Sequence, residues 1–532
     1  MKTKLFFAAM AAVAIVGCNK EVAETPAIAD GEASFLSVNL GAAGTITRAP
    51  EDKFVYGTDN ENAVETIHFY FFDAEGNAYA VQAGSNTIAW AKGTVANVEE
   101  VSDLVLVIKK SKDVPPAKMV AVLNAPKALQ VESISLSDLE EAVTKSLTNE
   151  NGKFIMTNSV YVDGLKNVIN ATEISGDNFF TTADELENVE PGDIFPSDVV
   201  TTPSPVDPVD VYVERVAAKV VVKTNEDNLY ETGVDGIYAK VLGWEITNYT
   251  TEGNILKVVD ANWTELGFSP WNNAAFHRSY WAATTATPVH NLTFNAVKAN
   301  NPATYYFENT LPAGDGENVV TGQPTTGKNQ TPQLLVAAQL VDEDEKPKEF
   351  AKWYDVTYEV EDVKVAMISS VASKLYKKTG VGEFTKIAPD DVELYQVSEE
   401  TLDNRYEVKL MLADADEVYY SPVQAAEGEK AVPYTAEQVT AILESVSPAQ
   451  VWTEGYTYYY TNIKHFGDAT GMVRNHVYEV TISAITGLGT PVYNPGYIIT
   501  PEEPEEQEAL NIAAQINILS WHVVSQDVSL GK

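Results

Sequence analysis

Six histidines, 76 carboxylates and a single cysteine bound the chemistry open to this chain. The histidines are His68, His277, His290, His465, His476 and His522, and none is paired at metal-ligand spacing. His465 and His476 flank a stretch that reads as a hairpin, and satisfied structural histidines are a simpler account of them than a metal pair. No Gly-x-Ser-x-Gly elbow, phosphate loop, dinucleotide glycine motif or His-Glu-x-x-His occurs. A glycosidase pair among so many carboxylates would be defined by separation in space, which sequence does not carry. The clusters Asp342-Glu343-Asp344-Glu345 and Asp414-Ala415-Asp416-Glu417 lack the glycine and ligand register of an EF-hand and read as solvated turns. One cysteine makes neither an internal disulfide nor a thiolate zinc site. The expectation is a chain with no catalytic residue, no metal and no cofactor.

The 36 Lys plus Arg against 76 Asp plus Glu give a formal net charge of −40. Such a field repels nucleic acid and anionic lipid, so partners are expected among proteins and neutral sugars. Hydrophobic residues make up 45% and aromatics 10% of the 532 residues, enough to fill cores, and the length suggests two domains.

The amino terminus carries an address. Lys2 and Lys4 precede an apolar run from Leu5 to Val16, which is too short to span a membrane and reads as a secretion signal. The sequence Ile15-Val16-Gly17-Cys18 resembles a bacterial lipobox, in which the cysteine is acylated, as with palmitate, and becomes the first residue after cleavage. The following Asn19-Lys20-Glu21 resembles the surface-export signal of Bacteroidota lipoproteins. An outer-membrane lipoprotein precursor is expected. Arg48 is the only arginine in the first 214 residues, in the small, polar loop Gly44-Thr45-Ile46-Thr47-Arg48-Ala49-Pro50, of the type proteases enter. Just before it, Leu36, Val38 and Leu40 share one face of a strand.

The elements that must position these residues are mainly strands. Runs rich in β-branched and aromatic residues occupy Phe35 to Leu40, Thr66 to Phe72, Leu104 to Ile108, Met119 to Leu123, Val211 to Lys223 and Val241 to Asn248. Phe72 to Asn77 signals a hairpin, and Leu136 to Leu147 and Thr435 to Val446 are helix candidates. Pro191 to Pro208 breaks the pattern, as a long surface loop or the approach to a boundary placed near residue 228. Pro501 to Glu508 reads as a stiff acidic linker. In the tail beyond it, apolar residues alternate, slip in phase near Ser520 and alternate again, as in two short strands joined at a bulge. The expected fold is mostly β: two Greek-key-like β-sandwich domains in tandem, a few helical insertions and a C-terminal strand.

Several segments, in this order, resemble those of the Bacteroidales fimbrillins, which build type V pili. They are Met119 to Asn124, Phe154 to Asn158, Val213 to Val220, His277 to Ala282, Glu308 to Thr310, Tyr456 to His465, Val473 to Tyr478 and Gly487 to Pro491. Within that family the chain is most similar to the shaft subunit of the short, or minor, fimbriae. The resemblance implies a signal peptide (1–18), a propeptide strand (19–48), an N-terminal sandwich (49–228), a C-terminal sandwich (229–500) and a linker with a donor-strand tail (501–532). It implies that an arginine-specific protease cuts after Arg48, making Ala49 the new amino terminus and releasing Cys18 with the strand of Leu36, Val38 and Leu40. The emptied groove would then take the tail of a neighbouring copy, with Ile512, Ile516, Ile518, Trp521, Val523, Val528 and Leu530 as donor positions. Partners would be identical subunits, anchor and tip subunits, and host or bacterial surface ligands of a fimbrium serving adhesion or biofilm formation. Beside this shaft pilin stand two alternatives, a fimbrial tip adhesin and a surface glycan-binding lipoprotein using Trp244, Trp271, Trp281 and Trp452. For those tryptophans an inward core place is the plainer reading, and for Arg215 and Arg278 a buried ion pair or stack is plainer than a catalytic anion holder.

Overall fold

A computed structural model describes residues 33–42, 57–95, 102–109, 115–159, 161–162, 168–180, 190–196, 208–259, 282–311, 330–397, 405–465, 470–499, 516–517 and 522–530. The chain is mostly β. Its first half contains β1 (Ala33–Ala42), β2 (Val64–Phe72), β3 (Thr87–Val95), β4 (Ser102–Lys109), β5 (Lys118–Leu123), β6 (Met156–Asn158), β7 (Ile194–Pro196) and β8 (Val209–Arg215). They form one sheet in the spatial order β7-β4-β1-β8-β6-β5-β2-β3. The sheet curls so that its ends approach, and the Lys109 N–H donates to the Val81 carbonyl at 2.6 Å. Alternate residues of β2 (Ile67, Phe69, Phe71), β4 (Leu104, Leu106, Ile108) and β8 (Val209, Val211, Val213) meet in one buried core. The one-turn helix α1 (Asp59–Asn62) precedes β2, and the opposite residues of β2 and β5 pack under the short helix α2 (Leu136–Glu141). The two layers expected of the first sandwich are therefore one continuous curled sheet.

The second half opens with β9 (Ala218–Lys223), β10 (Leu229–Glu231), β11 (Tyr238–Thr247), β12 (Tyr305–Tyr306) and β13 (Gln333–Val341). An inserted module follows, with β14 (Phe350–Trp353), β15 (Val356–Tyr358), the helix α3 (Val360–Val371), β16 (Val392–Gln396), β17 (Glu407–Leu412), the helix α4 (Ala436–Glu444) and β18 (Ala449–Trp452). The sandwich resumes with β19 (Tyr456–Asn462), β20 (His476–Ile485), β21 (Thr490–Pro491), β22 (Ile516–Asn517) and β23 (His522–Leu530). Its two sheets run β12-β9-β20-β23-β22 and β10-β11-β13-β19-β21, facing each other across a core that includes Val220, Tyr478 and Val480 from one and Ile246, Leu334 and Val336 from the other. The module has a sheet of its own, β15-β14-β18-β17-β16, and its own core between that sheet and the two helices.

Tertiary contacts redraw several expected elements. The run Val211 to Lys223 is two strands in two sheets, broken at Val216 and Ala217, whose backbones bond to Ile155 and Asn475. The helix expected to Leu147 stops at Glu141, because Val143 and Thr144 pair with Asn254 and Gly253. In Thr435 to Val446 the helix forms with Thr435 and Gln438 as a capping box. The Phe72 to Asn77 turn closes with Gly76 at φ +88°, where glycine carries no Cβ clash. Residues 194–196, inside the Pro191 to Pro208 stretch, form the edge strand β7 on β4. The tail strands β22 and β23 are antiparallel neighbours rather than collinear pieces joined at a bulge; the register shift lies opposite, between Ile482 and Ala484 of β20.

Candidate functional site

β1 lies in the middle of the first sheet. It pairs antiparallel with β4, from Ala33 opposite Lys109 to Leu40 opposite Ser102, and parallel with β8, from Val38 opposite Val209 to Ala42 opposite Val213. Leu36 and Val38 are 0% exposed and belong to the core with Leu104, Leu106 and Val211. Burying two such side chains contributes roughly 3 to 6 kcal/mol. Without β1 the sheet has two open edges facing one another, on β4 and on β8. A strand that replaced it must run antiparallel to the first and parallel to the second.

The second half holds a matching arrangement. β20 lies between β9 and β23 and is parallel to both, with Lys219 opposite Val477 and with His476 to Ile485 opposite His522 to Leu530. Val524, Val528 and Leu530 stand opposite Tyr478, Ile482 and Ile485 of β20, and those three β20 residues are buried. In this chain, then, residues 522–530 lie in the chain's own sheet.

Between these two seats sits a buried polar junction. Arg215, the last residue of β8, is 1% exposed. Its Nε donates to the Glu61 carbonyl (2.9 Å), its Nη2 to Asn62 Oδ1 and its Nη1 to Asn475 Oδ1 (3.1 Å). The Asn475 N–H donates back to the Ala217 carbonyl at 2.6 Å, and Asn475 takes φ +58°, which asparagine tolerates better than most residues. Since Asn475 directly precedes β20, the wall of the β1 slot and the wall of the tail seat are clamped together. Alongside, Lys257 Nζ meets Glu214 Oε2 at 2.9 Å with both side chains fully buried. Arg474 Nε donates to Glu308 Oε1 (3.0 Å), and its two terminal nitrogens donate to the Ile255 and Asn254 carbonyls (2.8 Å each). Burial raises the Glu214 carboxyl above its usual range against the pull of Lys257 and Arg474. Glu61 goes the other way. Burial alone would raise it, but Lys219 Nζ (2.7 Å), the Thr58 N–H (2.6 Å) and the Tyr305 hydroxyl (2.7 Å) bring it down to about 2.

Of the residues singled out in the sequence, Leu36, Val38 and Leu40 lie in β1, Ile516 in β22, and Val523, Val528 and Leu530 in β23. Cys18, Arg48, Ala49, Ile512, Ile518, Trp521, Trp271, Trp281, Arg278 and the acidic linker fall outside the described residues. Trp452 is buried and stacked on Phe350 at 4.9 Å between ring centroids, and Trp244 packs half-buried against the same core. His465 and His476 do meet, at 5.0 Å between centroids, His465 from the loop after β19 and His476 from the first position of β20 in the other sheet. His465 Nδ1 bonds with the Tyr478 hydroxyl, and His476 Nδ1 donates to the Arg474 carbonyl. Burial, with His476 and Lys257 nearby, lowers the His465 pKa far below its ordinary value. Among the described residues no group of three His, Cys, Asp or Glu is placed to hold a metal ion. Asp342 and Asp414 cap their own turns through the N–H groups of Asp344 and Asp416. Sequence reading missed Glu61 and Lys257. Their partners lie more than 150 and about 40 residues away, a separation no local pattern marks.

Residues 450–527 match the family described as "Major fimbrial subunit protein type IV, Fimbrillin, C-terminal". That stretch runs from β18 through β20 into β23. No curated protein matches the chain. Among solved structures, a candidate cell adhesion protein from Parabacteroides distasonis is 16% identical, covers 59% of this chain and 77% of its own, and gives a TM-score of 0.30. A candidate cell adhesion protein from Bacteroides eggerthii is 11% identical, with the same coverage and a TM-score of 0.28. The tip fimbrial protein of Porphyromonas gingivalis, truncated at its C terminus, is 13% identical over 62% of this chain and 80% of its own, with a TM-score of 0.24. Overlaps at these TM-scores carry no argument, and the match over 450–527 stands by itself.

Proposed function

We propose that this chain, a member of the fimbrillin family by its residues 450–527, is a shaft pilin exported as a lipoprotein through Cys18, trimmed after Arg48 and polymerised by strand donation. The observation that carries the reading is the place of β1. A segment on the amino-terminal side of the lone Arg48 fills the centre of a sheet, so a cut at Arg48 would leave it held by hydrogen bonds and packing alone. The tail supports the same reading. At home β23 runs parallel to its wall strand β20, the sense in which β1 runs along β8, so the tail of another copy would enter the slot without changing its polarity to that wall. An interface of this kind, from the tail of one copy to the slot of the next, does not close on itself and builds a filament. The partners are identical subunits, an arginine-specific protease during maturation, and the anchor and tip subunits of a cell-surface fimbrium. The chain works by assembly and not by catalysis. No helix among the described residues is long and apolar enough to cross a membrane, and acylation of Cys18 would hold the precursor at the outer membrane until cleavage.

The test is to shear fibres from cells and sequence the subunit's amino terminus. Ala49 is the expected first residue, and Arg48→Ala should remain a longer, lipidated monomer. Uncleaved protein confined to membrane vesicles would instead favour a surface glycan-binding lipoprotein, and label found only at fibre ends would favour a tip adhesin.

A further inference from the structure

The inserted module carries a surface that strand donation leaves unused. Among the described residues ten large hydrophobic side chains are exposed, and eight of them belong to this module. Two of them share one cleft, and apolar side chains gathered in this way, rather than scattered singly, mark an interaction surface. Met411 and Val418, each 44% exposed, border a cleft of about 630 Å³ between α4 and the ends of β16 and β17. Leu410, Val439 and Leu443 give it an apolar floor, and Tyr395 and Tyr434 line it as well. Its charged lining is of one sign: Asp416, Glu417 and Glu444, with no Lys, Arg or His. Glu417 is held by Lys377 at 3.1 Å, which leaves the exposed Asp416 and Glu444 as the charges presented to an incoming group.

We propose that this cleft docks a short segment of a partner protein that combines an apolar anchor with lysine or arginine. The anchor would sit on Leu410, Val439 and Leu443, and the cation would lie beside Asp416 and Glu444 and over a tyrosine face. A neutral sugar is a poorer occupant, because it brings no charge to answer Asp416 and Glu444. A second copy would have to present one of its few basic segments here, since its net charge is −40. The site is independent of whether the subunit lies in the shaft or at the tip.

The test uses the purified full chain and a labelled amphipathic peptide of leucine and lysine. Two peptides of the same length serve as comparisons, one of glycine and lysine and one of leucine and glutamate. The leucine-lysine peptide should bind saturably and one to one, and the other two should bind at least about tenfold more weakly. Asp416→Lys/Glu444→Lys should weaken binding by about tenfold or more, whereas Glu226→Lys/Asp227→Lys, the same charge change in the turn between β9 and β10, should leave it unaltered. Met411→Lys, an exposed change that keeps the floor intact, should also weaken it, with the melting temperature of each variant checked against wild type. Equal loss in both double variants, or equal binding of the glycine-lysine peptide, would reduce the effect to bulk charge and overturn the proposal. So would a dimer in sedimentation that Met411→Lys abolishes, since the occupant would then be a second copy.

Discussion

β1 and β23 are both strands from chain ends laid parallel to a wall strand, yet they are seated differently. β1 is paired on both sides, with β4 from Ala33 to Leu40 and with β8 from Val38 to Ala42. β23 has one long ladder, with β20, and on its other side only the two-residue β22. Taking away the first divides a sheet through its core; taking away the second trims a strand near an edge. The difference teaches which strand a subunit can surrender. A peripheral strand leaves at modest cost to its own fold, whereas a central one must be replaced.

The largest effect should come from deleting residues 33–42 with nothing supplied in their place. The first half should lose cooperative melting and gain hydrogen exchange throughout β4 and β8, and an added peptide of residues 33–42 should restore both. A first half that melts normally without β1 would break the comparison. Next in size is the junction that ties the two wall strands. Arg474→Met leaves Glu308 buried without its counter-charge and should cost about 3 to 5 kcal/mol in urea unfolding, while Lys257→Met/Glu214→Leu, which removes a whole pair, should cost far less. Acid acts on the same junction. The pKa of Glu61 is depressed in the folded chain, so its contribution is complete above its ordinary value of 4.5 and is lost as pH falls towards about 2. That loss is on the order of 3 kcal/mol, and Glu61→Gln should flatten the decline across this window. The smallest effect is expected from deleting residues 522–530. Melting of the first half should not move, stability of the second should fall by about 1 to 2 kcal/mol, and polymerisation should cease. If the loss matched that of deleting β1, the tail would be an ordinary internal strand.

Runs rich in β-branched and aromatic residues identified β1, β2, β4, β5 and β11 because each buries one face or lies wholly within a core, and the composition of a short run is a local property of sequence. The helical pattern of Thr435 to Val446 marked α4 for the same reason, and the structure adds the capping box of Thr435 and Gln438. Helix α3 escaped notice because its valines and isoleucine suggest a strand, while the spacing of Val363, Met367 and Val371 that makes it a helix acquires meaning only against the module's core. Of the candidate site, the apolar face of β1 was legible. Its partners were not, since strand order depends on segments far apart in the chain.

Sequence by itself determined what each stretch can be: the strand faces, the caps, the acidic surface, the single cysteine and the isolated Arg48. These follow from residue type and short spacing, which act through local sterics, charge and solvation. Only tertiary structure decided that β1 lies between β4 and β8, that Val211 to Lys223 serves two sheets, and that Arg215 meets Asn475 across 260 positions. Those choices turn on which distant groups can satisfy a buried charge or an open sheet edge, and a buried donor or carboxylate accepts only a partner that the whole fold has brought within hydrogen-bond reach.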